Sequence, residues 1–232
     1  MKITVVGGSR GIGAEVARRA LDAGHEVTVV SRSGARPVGV VSAEPAGVAS
    51  SNDAVSGDHS DDAAARTRII RGDASTYRVA EEAIAGADVV VVAVGGIKGH
   101  LGNRARVTRS CLRVMNALGM RRLIVVSALG AGGSAEHMPG PVGSFVRLIK
   151  AVSLVDHNEQ EAAVREFGED WTIVRPSMLT DGPFTGEVMT RLPGMKGTLR
   201  RQISRADLAD YIVENFDNPD TYKQAISISG QV

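Results

Sequence analysis

Cysteine is nearly absent from this chain of 232 residues, which contains only Cys111. A single cysteine excludes an internal disulfide framework and a four-cysteine zinc site. Because Cys111 falls in a segment with helical spacing, we interpret it as a small buried apolar side chain rather than as a reactive thiol.

Long apolar runs and an excess of charge of one sign are also missing. No run approaches the roughly 20 apolar residues that a membrane span needs. Met1-Lys2 leads directly into a short apolar strand, without the pattern of a secretion signal, so we expect a cytoplasmic protein. The 27 Lys and Arg against 26 Asp and Glu leave a formal net charge of +1. That balance argues against nucleic acid or an anionic membrane as partner.

Two further classes of site lack their sequence patterns. No two histidines stand at the i, i+3 or i, i+4 spacing typical of metal ligands, so we expect no metal site. Ser127 is not flanked by the glycines of a nucleophile elbow, which argues against a serine hydrolase. The histidines are His25, His59, His100, His137 and His157.

Short apolar runs alternate with stretches of helical spacing. The runs are continuous and rich in Val and Ile, which is typical of strands buried on both faces of a parallel sheet. Three helical stretches are followed by Gly24, Gly86 and Gly119, which are suited to end a helix. The alternation predicts an α/β fold, with a doubly wound parallel sheet and helices on both faces. The predicted strands are Ile3–Val6, Val27–Val30, Ile69–Ile70, Val89–Val94, Leu123–Val126, Trp171–Val174 and Ile226–Ile228.

The domain organisation predicted from length and composition is a single domain over residues 1–232. Pro37–Ala65 is rich in Ala, Gly, Ser and Asp without apolar periodicity, and predicts a flexible insertion; a lid over the cofactor is the alternative. Ser204-Arg205-Ala206-Asp207 has the spacing of a capping box that opens a helix. Residues 177–203, hereafter the cap, are expected to form a small C-terminal region beside the substrate.

A glycine-rich loop follows the first predicted strand and precedes the first helix. Glycines there permit positive φ and a close approach of the backbone to a pyrophosphate, while the helix offers unpaired N–H groups. A structural turn without a ligand is the alternative. In this strand–loop–helix context we predict a dinucleotide site that includes Gly7, Ser9, Arg10, Gly11, Ile12 and Gly13.

The residues at the end of the second predicted strand favour NADP(H) over NAD(H). A carboxylate at this point would bind the ribose 2′-hydroxyl of NAD, but the sequence there is Ser31-Arg32-Ser33, with Arg36 close by. A guanidinium can bind a 2′-phosphate through charge-assisted hydrogen bonds, and Arg10 could approach the same group. Solvated surface arginines are the alternative. We therefore predict NADP(H) as the cofactor, with Arg32, Ser33 and Arg36 among its ligands.

The GGSRGIG loop resembles the GxxxGxG loop of short-chain dehydrogenases/reductases. Later motifs resemble the atypical, NAD(P)-binding branch that includes biliverdin-IXβ/flavin reductase-like and NmrA-like proteins. The likeness covers nearly the whole chain except Pro37–Ala65 and implies a Rossmann-type fold. The motifs are Gly72-Asp73, Val94-Gly95-Gly96, Ser127-Ala128 and the stretch Trp171–Ser177.

The resemblance implies further site residues. Asp73 and Ala74 would contact the adenine, and Pro176 and Ser177 would border the nicotinamide. Ser127 would face the substrate carbonyl or the nicotinamide, as its position at a strand end also allows; capping of the next loop is the alternative. The residues that would flank the ribose and pyrophosphate are Ala93, Val94, Gly95 and Gly96.

The chain departs from this superfamily at the Tyr-x-x-x-Lys pair, in which the tyrosine supplies a proton. The equivalent spacing falls on Ser153 and His157. Carbonyl reduction by a tyrosine acid is therefore disfavoured, and flavins, quinones and linear tetrapyrroles remain as acceptors. His157 is either a proton donor or an exposed helix histidine.

Two functions from different classes remain. The first is an NADPH-dependent oxidoreductase that transfers a hydride to a small conjugated acceptor. The second is a non-catalytic, NADP(H)-binding redox sensor of the NmrA-like kind, while a sugar-nucleotide epimerase is disfavoured by the missing tyrosine. In either case we expect a small-molecule ligand, with a monomer and a homodimer both open.

Overall fold

The computed structural model describes residues 1–36, 63–96, 102–138 and 151–231. The predicted insertion over Pro37–Ala65 lies outside these residues except for 63–65, which form a single helical turn. His59 and His100 also lie outside them.

Ten strands are formed by the described residues. Each predicted apolar run forms one, although the run at Val89–Val94 leaves the sheet after Val92. The Ala93 amide still donates to the Val6 carbonyl of β1, and the Ala93 carbonyl lies against Gly7 of the glycine loop. The strands are β1 (Lys2–Val6), β2 (Glu26–Ser31), β3 (Thr67–Arg71), β4 (Val89–Val92), β5 (Arg122–Val126), β6 (Trp171–Pro176), β7 (Met178–Thr180), β8 (Val188–Arg191), β9 (Gln202–Ser204) and β10 (Gln224–Gly230).

The main sheet has eight strands in the order β3-β2-β1-β4-β5-β6-β10-β8. Its neighbouring strands run parallel except β8, which is antiparallel to β10 at one edge. β7 and β9 form a separate parallel ribbon within and just beyond the cap, which apolar periodicity did not predict because each has three residues.

Five α-helices of the described chain cover both faces of this sheet. One apolar cluster packs α1 and α5 against the sheet, and another packs α2, α3 and α4 against the opposite face. The predicted doubly wound α/β fold is therefore confirmed. The helices are α1 (Gly11–Asp22), α2 (Tyr77–Ile84), α3 (Asn103–Leu118), α4 (Ala151–Arg165) and α5 (Arg205–Glu214).

The alternation of side chains along each strand explains how the sheet joins these two clusters. On β1, Val5 packs under α1 while Val6 belongs to the cluster under α2 and α3. Both faces of a strand are buried, so a continuous apolar run is what the fold requires.

The strand order changes direction at β1, which pairs with β2 on one side and with β4 on the other. The helices that follow β1 and β4 lie on opposite faces, so their connecting loops separate. In doubly wound folds this separation opens a crevice at the carboxyl ends of the strands, where ligands bind.

Among the helices that the structure describes, none combines the length and the apolar character needed to cross a membrane.

Candidate functional site

A crevice of about 540 Å³ lies at the carboxyl ends of β1, β2 and β4. Leu179 of the cap and Arg205 at the start of α5 close it from the C-terminal side. The residues predicted to bind the cofactor that line it are Gly7, Ser9, Arg10, Gly11, Ile12, Arg32, Ser33, Asp73, Ala74, Ala93, Val94, Gly95 and Gly96.

The glycine loop has no room for side chains at two positions. Gly7 has φ +90°, and a Cβ there would lie 2.8 Å from the Ala93 carbonyl oxygen. Gly13 lies beneath the loop rather than in the crevice lining, and a Cβ on it would overlap the Gly7 carbonyl. The backbone of the loop can therefore pack between β4 and α1 and still face the crevice.

The N-terminus of α1 opens into the crevice without a capping side chain. Its N-cap residue, Arg10, is in extended conformation and makes no side-chain cap, and the first turn carries no acidic residue. The first N–H groups of a helix have no partner within the helix, and the helix dipole favours an anion beside them. This cradle of glycines and free N–H groups fits the diphosphate of a dinucleotide.

The end of β2 holds a tight turn and an arginine. The Gly34 amide donates to the Ser31 hydroxyl at 3.1 Å, and the Ala35 amide donates to the Ser33 hydroxyl at 3.2 Å. Arg32 is exposed and lines the crevice, whereas Arg36 is exposed outside the lining. The turn thus presents one guanidinium and two hydroxyl groups, and no carboxylate, from this strand.

Asp73 lies at the end of β3 on the same side of the crevice. The Ser75 amide donates to its carboxylate at 2.9 Å, and Arg106 lies 3.6 Å away. Burial alone would raise the pKa of Asp73, but the hydrogen bonds from Ser75 and the charges of Arg106 and Arg32 outweigh it and lower the pKa. The carboxylate is therefore ionised at neutral pH.

Several residues of the crevice lining were not predicted from the sequence to bind the cofactor. Asn103 at the start of α3 donates through its amide to the Gly95 carbonyl at 3.0 Å, and so fixes the loop after β4. Arg205 had a sequence signal, the capping box, but its place over the crevice depends on the short β7–β9 ribbon. The missed lining residues are Val6, Val30, Ser31, Gly72, Asn103, Val107, Leu179 and Arg205.

Ser127 and His157 belong to a second, buried cluster. The Ser127 hydroxyl donates to Glu161 Oε1 at 2.7 Å and lies 3.4 Å from His157 Nδ1. Ser127 is 5% and His157 6% exposed, and neither lines the crevice. The alternative of an exposed helix histidine is therefore wrong, because α4 packs this face against α3, where Asp156 accepts from the Ala105 amide.

A buried ion pair completes this cluster. Arg175 donates from Nη2 to Glu161 Oε2 at 2.6 Å and from Nε to Oε1 at 2.9 Å. The side chains are 1% and 2% exposed, and Arg175 also donates to the Gly132 carbonyl at 3.0 Å. We define Ser127, His157, Glu161 and Arg175 as the Ser127 cluster. Its polar groups are paired with one another, with the Gly132 carbonyl and with Arg165.

The pKa of His157 is lowered to about 4. Burial is the largest cause and the positive charge of Arg104 adds to it, against the opposing charges of Asp156 and Glu161. The imidazole is therefore neutral at pH 7 and holds no second proton to donate.

Pro176 and Ser177, predicted to border the nicotinamide, lie at the end of β6 and are buried outside the crevice lining. The Ser177 amide donates to the Ile228 carbonyl, while its hydroxyl has no hydrogen-bond partner among the described residues. Within the described ranges, no group of three His, Cys, Asp or Glu side chains is placed to hold a metal ion.

Comparison with known proteins decides the class to which this crevice belongs. The sequence pattern of the family described as NAD(P)H-binding matches residues 7–219, from the glycine loop to the residues before β10. The chain belongs to the NAD(P)H-binding family. A nicotinamide nucleotide is accordingly supported as the cofactor of this NAD(P)H-binding protein. No curated protein sequence matches the chain.

Solved structures resemble the whole NAD(P)H-binding chain. A short-chain dehydrogenase/reductase from Veillonella parvula in complex with NADP has 18% identity and a TM-score of 0.76, covering 99% of this chain and 94% of its own. ChuY, an anaerobilin reductase from Escherichia coli O157:H7, has 20% identity and a TM-score of 0.74, covering 100% and 98%. At these identities the likeness is one of fold, and it agrees with the predicted Rossmann-type fold.

Proposed function

We propose that the protein binds NADP(H) in the crevice and transfers a hydride between this cofactor and a small conjugated acceptor of the flavin, quinone or tetrapyrrole type. The observation that carries this proposal is the uncapped N-terminus of α1 behind the glycine loop, joined to a β2 end that presents Arg32. The first feature suits a diphosphate, and the second suits a phosphate on the adenosine ribose.

The choice of NADP(H) over NAD(H) depends on the charges at the end of β2. A carboxylate at this point would bind the 2′-hydroxyl of NAD and repel a 2′-phosphate. This chain has Arg32 and the Ser33 hydroxyl there instead, and Arg10 lines the same crevice. The carboxylate of Asp73 also lines the crevice, but Asp73 follows β3 and not β2. This carboxylate already accepts from the Ser75 amide. The structure of the Veillonella parvula relative in complex with NADP agrees with this choice.

The binding roles are proposed from the family resemblance and from the residues that line the crevice. The first-turn amides of α1 would hold the diphosphate, Asp73 and Ala74 the adenine, and the Ala93–Gly96 loop the ribose and diphosphate on the β4 side. Pro176 and Ser177 are buried at the end of β6 outside the lining, and only the family resemblance supports their proposed place beside the nicotinamide. The bound cofactor supplies the hydride chemistry, while the chain orients it and excludes water.

The type of acceptor is proposed because the tyrosine acid of the superfamily is missing from its usual position. The position of the superfamily's tyrosine falls on Ser153, and His157, four residues later, is neutral at pH 7 because its pKa is about 4. A substrate that needs little acid catalysis is therefore favoured. Anaerobilin reductase activity in the structurally similar ChuY is consistent with a conjugated acceptor.

A second function is favoured by the Ser127 cluster. Because the Ser127 hydroxyl donates to Glu161 and lies outside the crevice lining, no described side chain is ready to donate a proton to a substrate from this position. A non-catalytic, NADP(H)-binding redox sensor has no need of such a donor. It would change its oligomeric state or its affinity for a partner between the oxidised and reduced nucleotide.

Anaerobic oxidation of NADPH by the purified protein distinguishes the two functions. Nicotinamide absorbance is followed against flavins, quinones and biliverdin, with nucleotide binding measured in parallel. We expect NADPH to bind and at least one conjugated acceptor to be reduced. Binding without turnover across the panel, with an oligomeric state that differs between NADP⁺ and NADPH, would favour the sensor. Failure to bind either nucleotide would contradict both.

A further inference from the structure

Arg205 extends from the first position of α5 into the crevice that holds the glycine loop. Its Nε lies 3.9 Å from the position that a Cβ on Gly11 would occupy, and no other described atom, apart from the chain neighbours of Gly11 and the backbone of α1, comes within 4 Å of that position. Gly11 is the first residue of α1. The guanidinium therefore lies beside Gly11, at the first turn of α1, although the two residues are far apart in sequence.

The guanidinium makes a second contact, with an exposed carboxylate. Arg205 donates from Nη1 to Asp181 Oδ1 at 2.5 Å, and the Asp181 side chain is 90% exposed. One edge of the guanidinium is thus occupied on the solvent side, which leaves the edge with Nε toward Gly11. An arginine has five N–H donors, so one partner does not exhaust its capacity.

The backbone that carries Arg205 is held firmly. The Asp207 amide donates to the Ser204 hydroxyl at 2.9 Å, which caps α5. The Asp207 carboxylate accepts from the amides of Thr185 and Gly186 at 2.7 and 2.9 Å, which ties the cap loop to the same helix. Because of these bonds, Arg205 occupies a defined position opposite α1.

We propose that Arg205 is a ligand of the cofactor's diphosphate, contributed by the C-terminal part of the chain, and that it binds through Nε while Nη1 stays on Asp181. This inference rests on the proposed nucleotide site. It assigns to α5 a share of the diphosphate site, beside the glycine loop, α1 and the Ala93–Gly96 loop. Because NADH and NADPH share the diphosphate, Arg205 contributes equally to both and differs in this from Arg32, which is proposed for the 2′-phosphate.

Two fragments of the cofactor separate these contributions. ADP carries a diphosphate without a 2′-phosphate, and 2′-AMP carries the 2′-phosphate without a diphosphate. In Arg205→Met we expect the affinity for ADP, NADH and NADPH to fall roughly tenfold, which is the loss of one charge-assisted hydrogen bond at a partly exposed site. The affinity for 2′-AMP stays within about twofold, since the diphosphate contact is absent from it.

Two control variants exclude a structural explanation. Asp181→Asn removes the ion pair but keeps the guanidinium, so ADP affinity should stay within about threefold of wild type. Arg201→Met removes an exposed arginine that does not line the crevice and should leave ADP binding unchanged. Calorimetric titration with each fragment, and the unfolding midpoint of each variant, provide the readouts.

Each result has one meaning. Equal ADP binding by wild type and Arg205→Met would overturn the role of Arg205 and leave the nucleotide site intact. A loss in Asp181→Asn as large as that in Arg205→Met, or an equal loss of 2′-AMP, would show that Arg205 acts by holding the cap and not the diphosphate. Wild-type protein that binds neither ADP nor NADPH would contradict the proposed function itself.

Discussion

The crevice and the Ser127 cluster lie at the carboxyl ends of neighbouring strands of one sheet, yet they treat polar groups in opposite ways. In the crevice, the first N–H groups of α1 have no side-chain cap, and Arg32 is exposed beside them. In the Ser127 cluster, the hydroxyl of Ser127 and two nitrogens of Arg175 donate to the Glu161 carboxylate. The donors of the crevice are available to a ligand, whereas those of the Ser127 cluster are already hydrogen-bonded within the protein.

This difference separates binding from stability. Buried polar groups that are fully paired hold a fold in one arrangement, and they are costly to disturb. Donors left open at a crevice contribute little to folding, so they can be replaced without unfolding the protein. A change in the Ser127 cluster should therefore act mainly on the free energy of unfolding, and a change in the crevice mainly on nucleotide affinity.

Breaking the buried ion pair should have the largest effect. In Glu161→Ala, Arg175 remains buried without its partner and the Ser127 hydroxyl loses its acceptor. We expect the free energy of unfolding to fall by about 3–5 kcal/mol, because an uncompensated buried charge is left behind. Urea unfolding measures it.

The matched control is Glu82→Ala, which removes the carboxylate of the exposed pair between Arg68 and Glu82, 3.1 Å apart. The Glu82 side chain is 52% exposed, so the loss should stay below about 1 kcal/mol. A cost of Glu161→Ala no greater than that of Glu82→Ala would mean that the Ser127 cluster does not depend on its buried charge.

Protonation of His157 in the same cluster should lower the free energy of unfolding reversibly. Its pKa is about 4 in the folded protein against an ordinary value of 6.5, so the unfolded chain binds the proton more tightly. The stabilisation is fully present above pH 6.5 and is lost as the pH falls toward 4, by about 3 kcal/mol. Unfolding free energies measured across this range test it.

His157→Gln separates this contribution from that of the acidic residues, because glutamine does not titrate. The unfolding free energy of the variant should fall less steeply between pH 6.5 and 4 than that of wild type. Parallel curves would show that His157 titrates normally, and would restore it as a proton donor near neutral pH.

Local patterns predicted the sheet and the glycine loop well, because these depend on residues close in sequence. The apolar run at Ile3–Val6, the glycines that follow and the helix after them belong to one β–α unit. The end of β2 was predicted as well, because it lies roughly 20 residues beyond the last glycine of the same β–α–β unit. The crevice lining thus includes most residues predicted to bind the cofactor.

Long-range pairing explains what local patterns did not predict. The Ser127 hydroxyl turns to Glu161 because Arg175 on β6 and Glu161 on α4 meet behind it, and no sequence spacing indicates that contact. Burial of His157 follows from the packing of α4 on α3, and the position of Arg205 from the β7–β9 ribbon. The roles of Ser127, His157, Pro176 and Ser177 stay predictions.

The proposal that the crevice binds NADP(H) through Arg32 is tested most directly by the preference of the protein between NADPH and NADH. Arg32→Asp should weaken NADPH binding by roughly 10- to 100-fold, because a carboxylate then faces the 2′-phosphate, and should change NADH binding by no more than about threefold. Arg78→Asp, at an exposed arginine of α2, is the control and should change neither. Titration of each variant with both nucleotides is the measurement. A selective loss of NADPH affinity is the predicted result, and equal weakening of both nucleotides, or of neither, would contradict the account.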